Sequence, residues 1–181
     1  LLAALFWCTV LEAQNRELLG EFKIGFVGRD QENVIYQAAQ EGAQAAALEL
    51  SNKYSIDIEV VIYTPDKALG GSQMNSLAEL FIKDADGLII SPEKTEAVGA
   101  SIDFALLQGQ EVVFFESQLS DRESLTSVLA DELEAGRLAG RSILSKLPTK
   151  ARVAILTSAT PSAKLEQRMT GLREVLSSRH I

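Results

Sequence analysis

The sequence predicts an α/β fold built on a doubly wound parallel sheet, and two observations predict it. From Phe22 onward, short β-rich runs alternate with stretches of helical spacing, which is the signature of repeated βαβ units. Two of those runs, "GLII" and "EVVFF", are nearly all apolar, as strands covered on both faces must be.

The elements follow in order. Strands are expected at "KIGFVG" (23–28), "IDIEVVIY" (56–63), "GLIIS" (87–91), "EVVFFES" (111–117) and "RVAILTS" (152–158). Helical spacing fills about 34–53, 71–83, 95–108, 132–147 and 163–178. Asp131 with Glu134 three residues on reads as a helix start. Behind it Leu133, Gly136, Ala139-Gly140, Ile143-Leu144 and Leu147 form one apolar stripe with small residues for close packing, and Pro148 closes the helix. Pro65 and Pro92 each follow a strand, where they remove no ladder hydrogen bond. The polar stretch 117–132 breaks the alternation. Its β-branched run "LTSVLA" is either an edge strand or a crossing into a second lobe.

A chain of 181 residues with 46% apolar and 23% charged residues can bury a full core. Its net charge of −8 speaks against nucleic acid or an anionic membrane surface as partner. Leu1 to Leu11 carries no charge but is shorter than the ~20 residues that span a bilayer. It fits the apolar core of a secretory signal, with a possible cleavage site between Ala13 and Gln14; the competing reading is the end of a transmembrane helix. Export is expected in both. Cys8 is the only cysteine and follows bulky Phe6-Trp7, so neither lipidation nor an internal disulfide is expected.

Ligands of such sheets bind outside the carboxyl ends of the strands. That rule selects the loops 28–33, 64–71, 91–96, 116–121 and 157–162, which are rich in carboxylates, amides and hydroxyls. Such groups can donate to or accept from a polyhydroxyl ligand. Enzyme signatures are missing: Gly25-Phe26-Val27-Gly28 lacks the third glycine of a dinucleotide loop, and neither a phosphate-binding loop nor a nucleophile elbow occurs. The single histidine, His180, stands one residue from the end of the sequence, which argues against a His-based triad or metal site. No catalytic residues, no metal and no cofactor are therefore expected.

Several segments carry a resemblance. The position of Asn33, the following Glu41-Gly42-Ala43-Gln44, "LIISPEKTEAVG" (88–99), "ADELEAGRLAGRSI" (130–143) and "TSATPSAKLEQRMTGLREVL" (157–176) together resemble the ribose-binding-protein-like family of periplasmic sugar-binding proteins. The likeness runs from about Lys23 to the last residue. It implies a type 1 periplasmic binding fold of two α/β lobes that close by a hinge over a small sugar. It also implies a leader at 1–21, a first lobe at 22–127, and at 128–181 a crossover with the beginning of an incomplete second lobe.

The resemblance further implies a monomeric, exported, periplasmic or envelope solute-binding protein that hands a sugar-like ligand to a membrane permease or signalling domain, without nucleic acid. The alternatives are the ligand-sensing domain of a LacI-type transcriptional regulator or of a membrane receptor kinase. Asp30 and Asn33 belong to the polar loop after the first strand, and Asn33 matches a ligand contact there. Tyr36 matches an aromatic position that stacks on the sugar, which Ile35 does not keep. Glu116-Ser117 matches an acid–arginine pair gripping sugar hydroxyls, with Ser117 in the arginine's place. Glu166 stands where a second ligand-binding arginine is expected, and Arg168 matches a structural arginine. On the residues alone, Asn33 reads equally as a helix cap, Tyr36 as a staple, and Arg168 as an ion-pair partner.

Overall fold

The computed structural model describes residues 18–82, 84–148, 151–159 and 161–177. The apolar run Leu1–Leu11, Cys8, the possible cleavage site and His180 lie outside them. The chain divides into two compact units, residues through Val128 and residues from Leu129 onward.

The first unit runs β1 (Glu21–Val27), α1 (Val34–Tyr54), β2 (Asp57–Ile62), α2 (Gln73–Ile82), β3 (Gly87–Ile90), α3 (Glu96–Leu107), β4 (Glu111–Phe115) and β5 (Thr126–Val128). Its five strands form one sheet in the order β2-β1-β3-β4-β5, parallel throughout. In register, Ile24 lies opposite Val60 on one side and Gly87 on the other. The ambiguous run after β4 is an edge strand, and it is short, as exposed edges usually are.

Local chemistry sets the helix limits. The Asn33 side chain accepts from the Ile35 N–H at 2.9 Å and the Thr95 hydroxyl from the Val98 N–H at 3.3 Å, so α1 and α3 each start at a capping residue. Ser55 closes α1 in the left-handed conformation, its N–H donating to the Ser51 carbonyl.

The sheet's two faces differ. On one, Val27, Leu88, Ile90, Val112 and Phe114 pack with Leu77 and Leu80 of α2 and Val98, Ile102 and Ala105 of α3 into the buried core. Each large side chain removed from water there contributes about 2 kcal/mol. Gly25 makes the approach of α2 possible, because a Cβ at that position would stand 2.1 Å from Leu80 Cδ1. The opposite face carries α1, and an apolar groove of about 330 Å³ runs between Ala43, Ala47 and Leu50 of that helix and Ile24, Ile89 and Val113 of the sheet.

Among its described residues the second unit holds two helices, α4 (Glu132–Leu144) and α5 (Ala163–Ser177). They cross on glycines: a Cβ on Gly136 would lie 1.9 Å from the Arg168 carbonyl oxygen, and one on Gly171 would lie 2.0 Å from that of Leu133. Asp131 caps α4 by accepting from the Glu134 N–H at 2.9 Å. The Glu134 carboxylate pairs with Arg141 and Arg137.

The strand expected at 152–158 is not one. Residues 151–158 have no regular structure. A run of β-formers becomes a strand only when a neighbouring backbone takes up its N–H and C=O groups, and the described residues of this unit supply two helices and no strand. The described residues 157–159 accordingly do not follow a sheet strand.

Candidate functional site at the strand ends of the first unit

Because all five strands point the same way, the loops after β1, β2, β3 and β4 gather at one edge of the sheet. In a sheet of this order the strand sequence reverses between β1 and β3, and ligand crevices form there. Here that crevice is filled by Gln73, the first residue of α2, whose side chain is fully buried. Its amide nitrogen donates to the carbonyls of Gly28 at 2.9 Å and Ser91 at 2.8 Å, and its amide oxygen accepts from the Glu93 N–H at 2.7 Å. One side chain thus sets the spacing of the loops after β1 and β3.

Displaced toward β4, a polar cluster remains. Glu116 follows β4 with φ +60°, inside a three-residue turn in which the Ser117 N–H donates to the Phe115 carbonyl at 2.6 Å. A non-glycine residue in that conformation is strained, and such strain concentrates at functional sites. The turn directs the Glu116 carboxylate to Arg29, which donates to it, and to Ser91, whose hydroxyl donates at 3.0 Å. The Ser117 hydroxyl is buried and donates to the Pro92 carbonyl at 3.0 Å.

Arg29 makes a second attachment. Its Nε donates to the Tyr36 hydroxyl at 2.6 Å, and its guanidinium carbon sits 5.6 Å from the centre of that ring. Tyr36 itself is 6% exposed and meets Phe115 edge-on at 6.1 Å. Its ring is therefore core, and its hydroxyl is what reaches the site. The exposed apolar groups on that turn are Val34 and Ile35, 73% and 57% exposed.

Further links cross the same edge. Gln31 donates to Asp66 at 2.6 Å, and Lys67 pairs with Glu93 at 2.5 Å. These bonds run between loops and tie the edge together. An open depression of about 650 Å³ lies beside the cluster, between Lys94, Thr95 and Gly99 on one side and Gln118 to Arg122 on the other.

Of the residues singled out from the sequence, Tyr36, Glu116 and Ser117 fall in one network. Asp30 and Asn33 lie in the same loop as Arg29; Asp30 accepts from the Glu32 N–H at 3.1 Å, and Asn33 is the cap of α1. Glu166 belongs to the second unit, exposed on the first turn of α5. In that unit Arg168 is an ion-pair partner, donating through Nε to Glu132 at 2.8 Å. Arg29 and Ser91 are expected only as members of the strand-end loops 28–33 and 91–96, and Gln73 is not expected at all. The sequence signal for Arg29 and Ser91 was their place at strand ends; Gln73 had none, because it stands on a helix. No group of three or more His, Cys, Asp or Glu among the described residues is placed to hold a metal. No helix among them is long and apolar enough to cross a membrane.

Comparison with known proteins agrees with this architecture. The sequence profile described as "periplasmic binding protein domain" matches residues 24–180. A ribose import binding protein of Haemophilus influenzae is 23% identical over 147 residues, 81% of this chain and 48% of the relative. The crystal structure of a periplasmic ribose ABC transporter protein from Conexibacter woesei superposes with a TM-score of 0.74 at 24% identity, covering 91% of this chain and 53% of that one. An arabinose binding protein from Geobacillus stearothermophilus gives 0.72 at 21% identity, over 87% and 52%. The chain spans about half the length of the curated relatives it matches.

Proposed function

Since this chain belongs to the periplasmic binding protein domain family, we propose that it is part of an exported solute-binding protein that takes a sugar or sugar-like ligand at the edge formed by Arg29, Ser91, Glu116 and their loops. The observation that carries this is the strained turn at Glu116, which holds a carboxylate toward Arg29 and Ser91 at the carboxyl end of a parallel sheet. A carboxylate accepts from ligand hydroxyls, and guanidinium and hydroxyl groups donate to them. Relatives named for ribose import and arabinose binding support the ligand class.

Within that role, Asp30 and Asn33 form the outer lip, Ile35 offers an apolar contact, Tyr36 acts through its hydroxyl, and Glu116 with Ser117 forms the inner wall. Glu166 on the second unit is a further candidate contact. The ligand then passes to an ABC-type permease, or its binding is read by an envelope sensor. Family members of this kind bind substrates and carry out no reaction. The protein acts as a monomer outside the cytoplasmic membrane.

Calorimetric titration of the full-length protein with D-ribose, L-arabinose, D-allose, D-galactose and D-fructose tests this. Saturable one-site binding of at least one of them is expected. Binding of none of these sugars refutes the ligand class.

A further inference from the structure

Resting on the reading that a ligand is taken at the edge of Arg29 and Glu116, we infer that Tyr36 is a positioning residue, which serves the ligand through Arg29 and not by stacking against it. An aromatic residue at the start of a helix beside a site invites the stacking role. Tyr36 does not offer it. Its ring is buried, meets Phe115 edge-on at 6.1 Å, and through Phe115 adjoins Phe26, whose ring lies 5.0 Å from that of Phe115. A sugar needs an open ring face to stack on, and the surface of this ring is taken up by the core.

What remains is the hydroxyl. It accepts from Arg29 Nε at 2.6 Å, and the guanidinium carbon stands 5.6 Å from the ring centre. Gly28 brings the chain close enough for this: its N–H donates to the Thr64 hydroxyl at 2.8 Å, and an added Cβ there would stand 3.0 Å from the Tyr36 Cβ. Arg29 then reaches on to Glu116, to which its Nη2 donates. A guanidinium held through Nη2 alone can turn about that bond. A second attachment at Nε fixes its plane, and a donor kept in one plane loses less freedom when a ligand uses it. The Nη1 amino group makes none of the hydrogen bonds found among the described residues, and the Arg29 side chain is 33% exposed, so donors are left for a ligand. Tyr36→Phe keeps the ring in the core and removes only the acceptor, which separates this role from packing.

The test is a double-mutant cycle on the full-length protein with Tyr36→Phe, Arg29→Met and the two combined, and with Arg29→Gln as a second variant of the same position. Each variant, shown by thermal melting to be folded, is titrated calorimetrically with whichever of D-ribose, L-arabinose, D-allose, D-galactose and D-fructose the wild type binds most tightly. Tyr36→Phe is expected to weaken binding by about fivefold, and loss of Arg29 by about tenfold or more. Without Arg29 the hydroxyl has nothing to hold, so the combined variant is expected to bind no more weakly than Arg29→Met alone. Unchanged affinity in Tyr36→Phe overturns the assignment, and so does unchanged affinity in the Arg29 variants. A Tyr36→Phe loss that recurs in full beside Arg29→Met also overturns it, because the tyrosine then acts by its own contact or by packing. Nitrogen-15 NMR reads the tie without ligand: the Arg29 Nε–H signal, identified by its absence from Arg29→Met, is expected to exchange with water about tenfold faster in Tyr36→Phe. An equal exchange rate overturns the assignment. If the wild type binds none of these sugars, the sugar-binding reading has failed and this role falls with it. Sugar binding by the wild type together with any contrary result above removes this role and leaves the ligand class standing.

Discussion

The side-chain amide of Gln73, fully buried at the start of α2, donates to the backbone carbonyl of Ser91 at 2.8 Å. With its bonds to Gly28 and Glu93, it ties together the ends of two strands that are adjacent in the sheet but separated by a crossover. Replacing it with leucine keeps the volume and orphans two carbonyls and one N–H. Each orphan costs about 1 kcal/mol or more, so Gln73→Leu is expected to lower stability by about 3 kcal/mol. Urea unfolding measures it, and a loss within experimental error of zero would remove Gln73 from this role.

Asn33 has two jobs to separate. As cap of α1 it accepts the Ile35 N–H, so Asn33→Ala is expected to destabilise by about 1 kcal/mol. Asn33→Ser retains a capping oxygen and keeps most of that stability. If Asn33 also touches the ligand, sugar affinity falls in both variants. Thermal melts beside calorimetry read the two effects apart, and unaltered affinity in both variants would leave Asn33 a cap alone.

The helix pair of the second unit depends on backbone contact. A methyl group on Gly136 meets the Arg168 carbonyl, a backbone atom that cannot swing away, so Gly136→Ala is expected to cost about 2 kcal/mol or more. Gly42 on α1 is the opposite case, with nothing within 4 Å of an added Cβ. Gly42→Ala is expected to stabilise the protein by about 0.5–1 kcal/mol. Chemical denaturation of both gives the signs, and equal effects would contradict the close crossing of α4 and α5.

Glu134 sits below its ordinary carboxylate value, chiefly because Arg141 hydrogen-bonds it; desolvation opposes this, and the charges of Arg141 and Arg137 reinforce it. A carboxylate depressed by folding stabilises the folded state above its unfolded pKa and loses that contribution as pH falls through its folded value. Glu134→Gln is therefore expected to lower Tm slightly at neutral pH, the effect being small because the group is exposed. The difference from wild type should shrink as pH falls from neutral through the lowered folded value of Glu134 and the group is protonated. Melting curves at neutral pH and in strong acid decide, and a difference that does not shrink in acid would contradict the assignment.

Periodicity made the strands and helices of the first unit legible, because apolar runs and 3.6-residue spacing are local properties. The segment 152–158 shows the limit: "RVAILTS" has strand composition, but strand formation is a property of pairs. The site was legible to the extent that strand-end loops can be identified. Which loops touch could not be read, since Arg29 meets Glu116 across 87 positions of sequence, and that contact follows from the strand order. Tyr36 shows another limit. Sequence places an aromatic on the first turn of α1, but only the packing of Phe115 against it decides that the ring lies inside and that Val34 and Ile35 lie out.

Glu116 is where the functional account is most exposed to test. We would titrate the full-length protein, and the Glu116→Ala variant shown by thermal melting to be folded, with whichever monosaccharide the wild type binds best. Loss of a charged hydrogen-bond acceptor at a ligand predicts an affinity at least about tenfold weaker. An affinity equal to that of the wild type would mean that the carboxylate held on the strained turn after β4 does not meet the sugar.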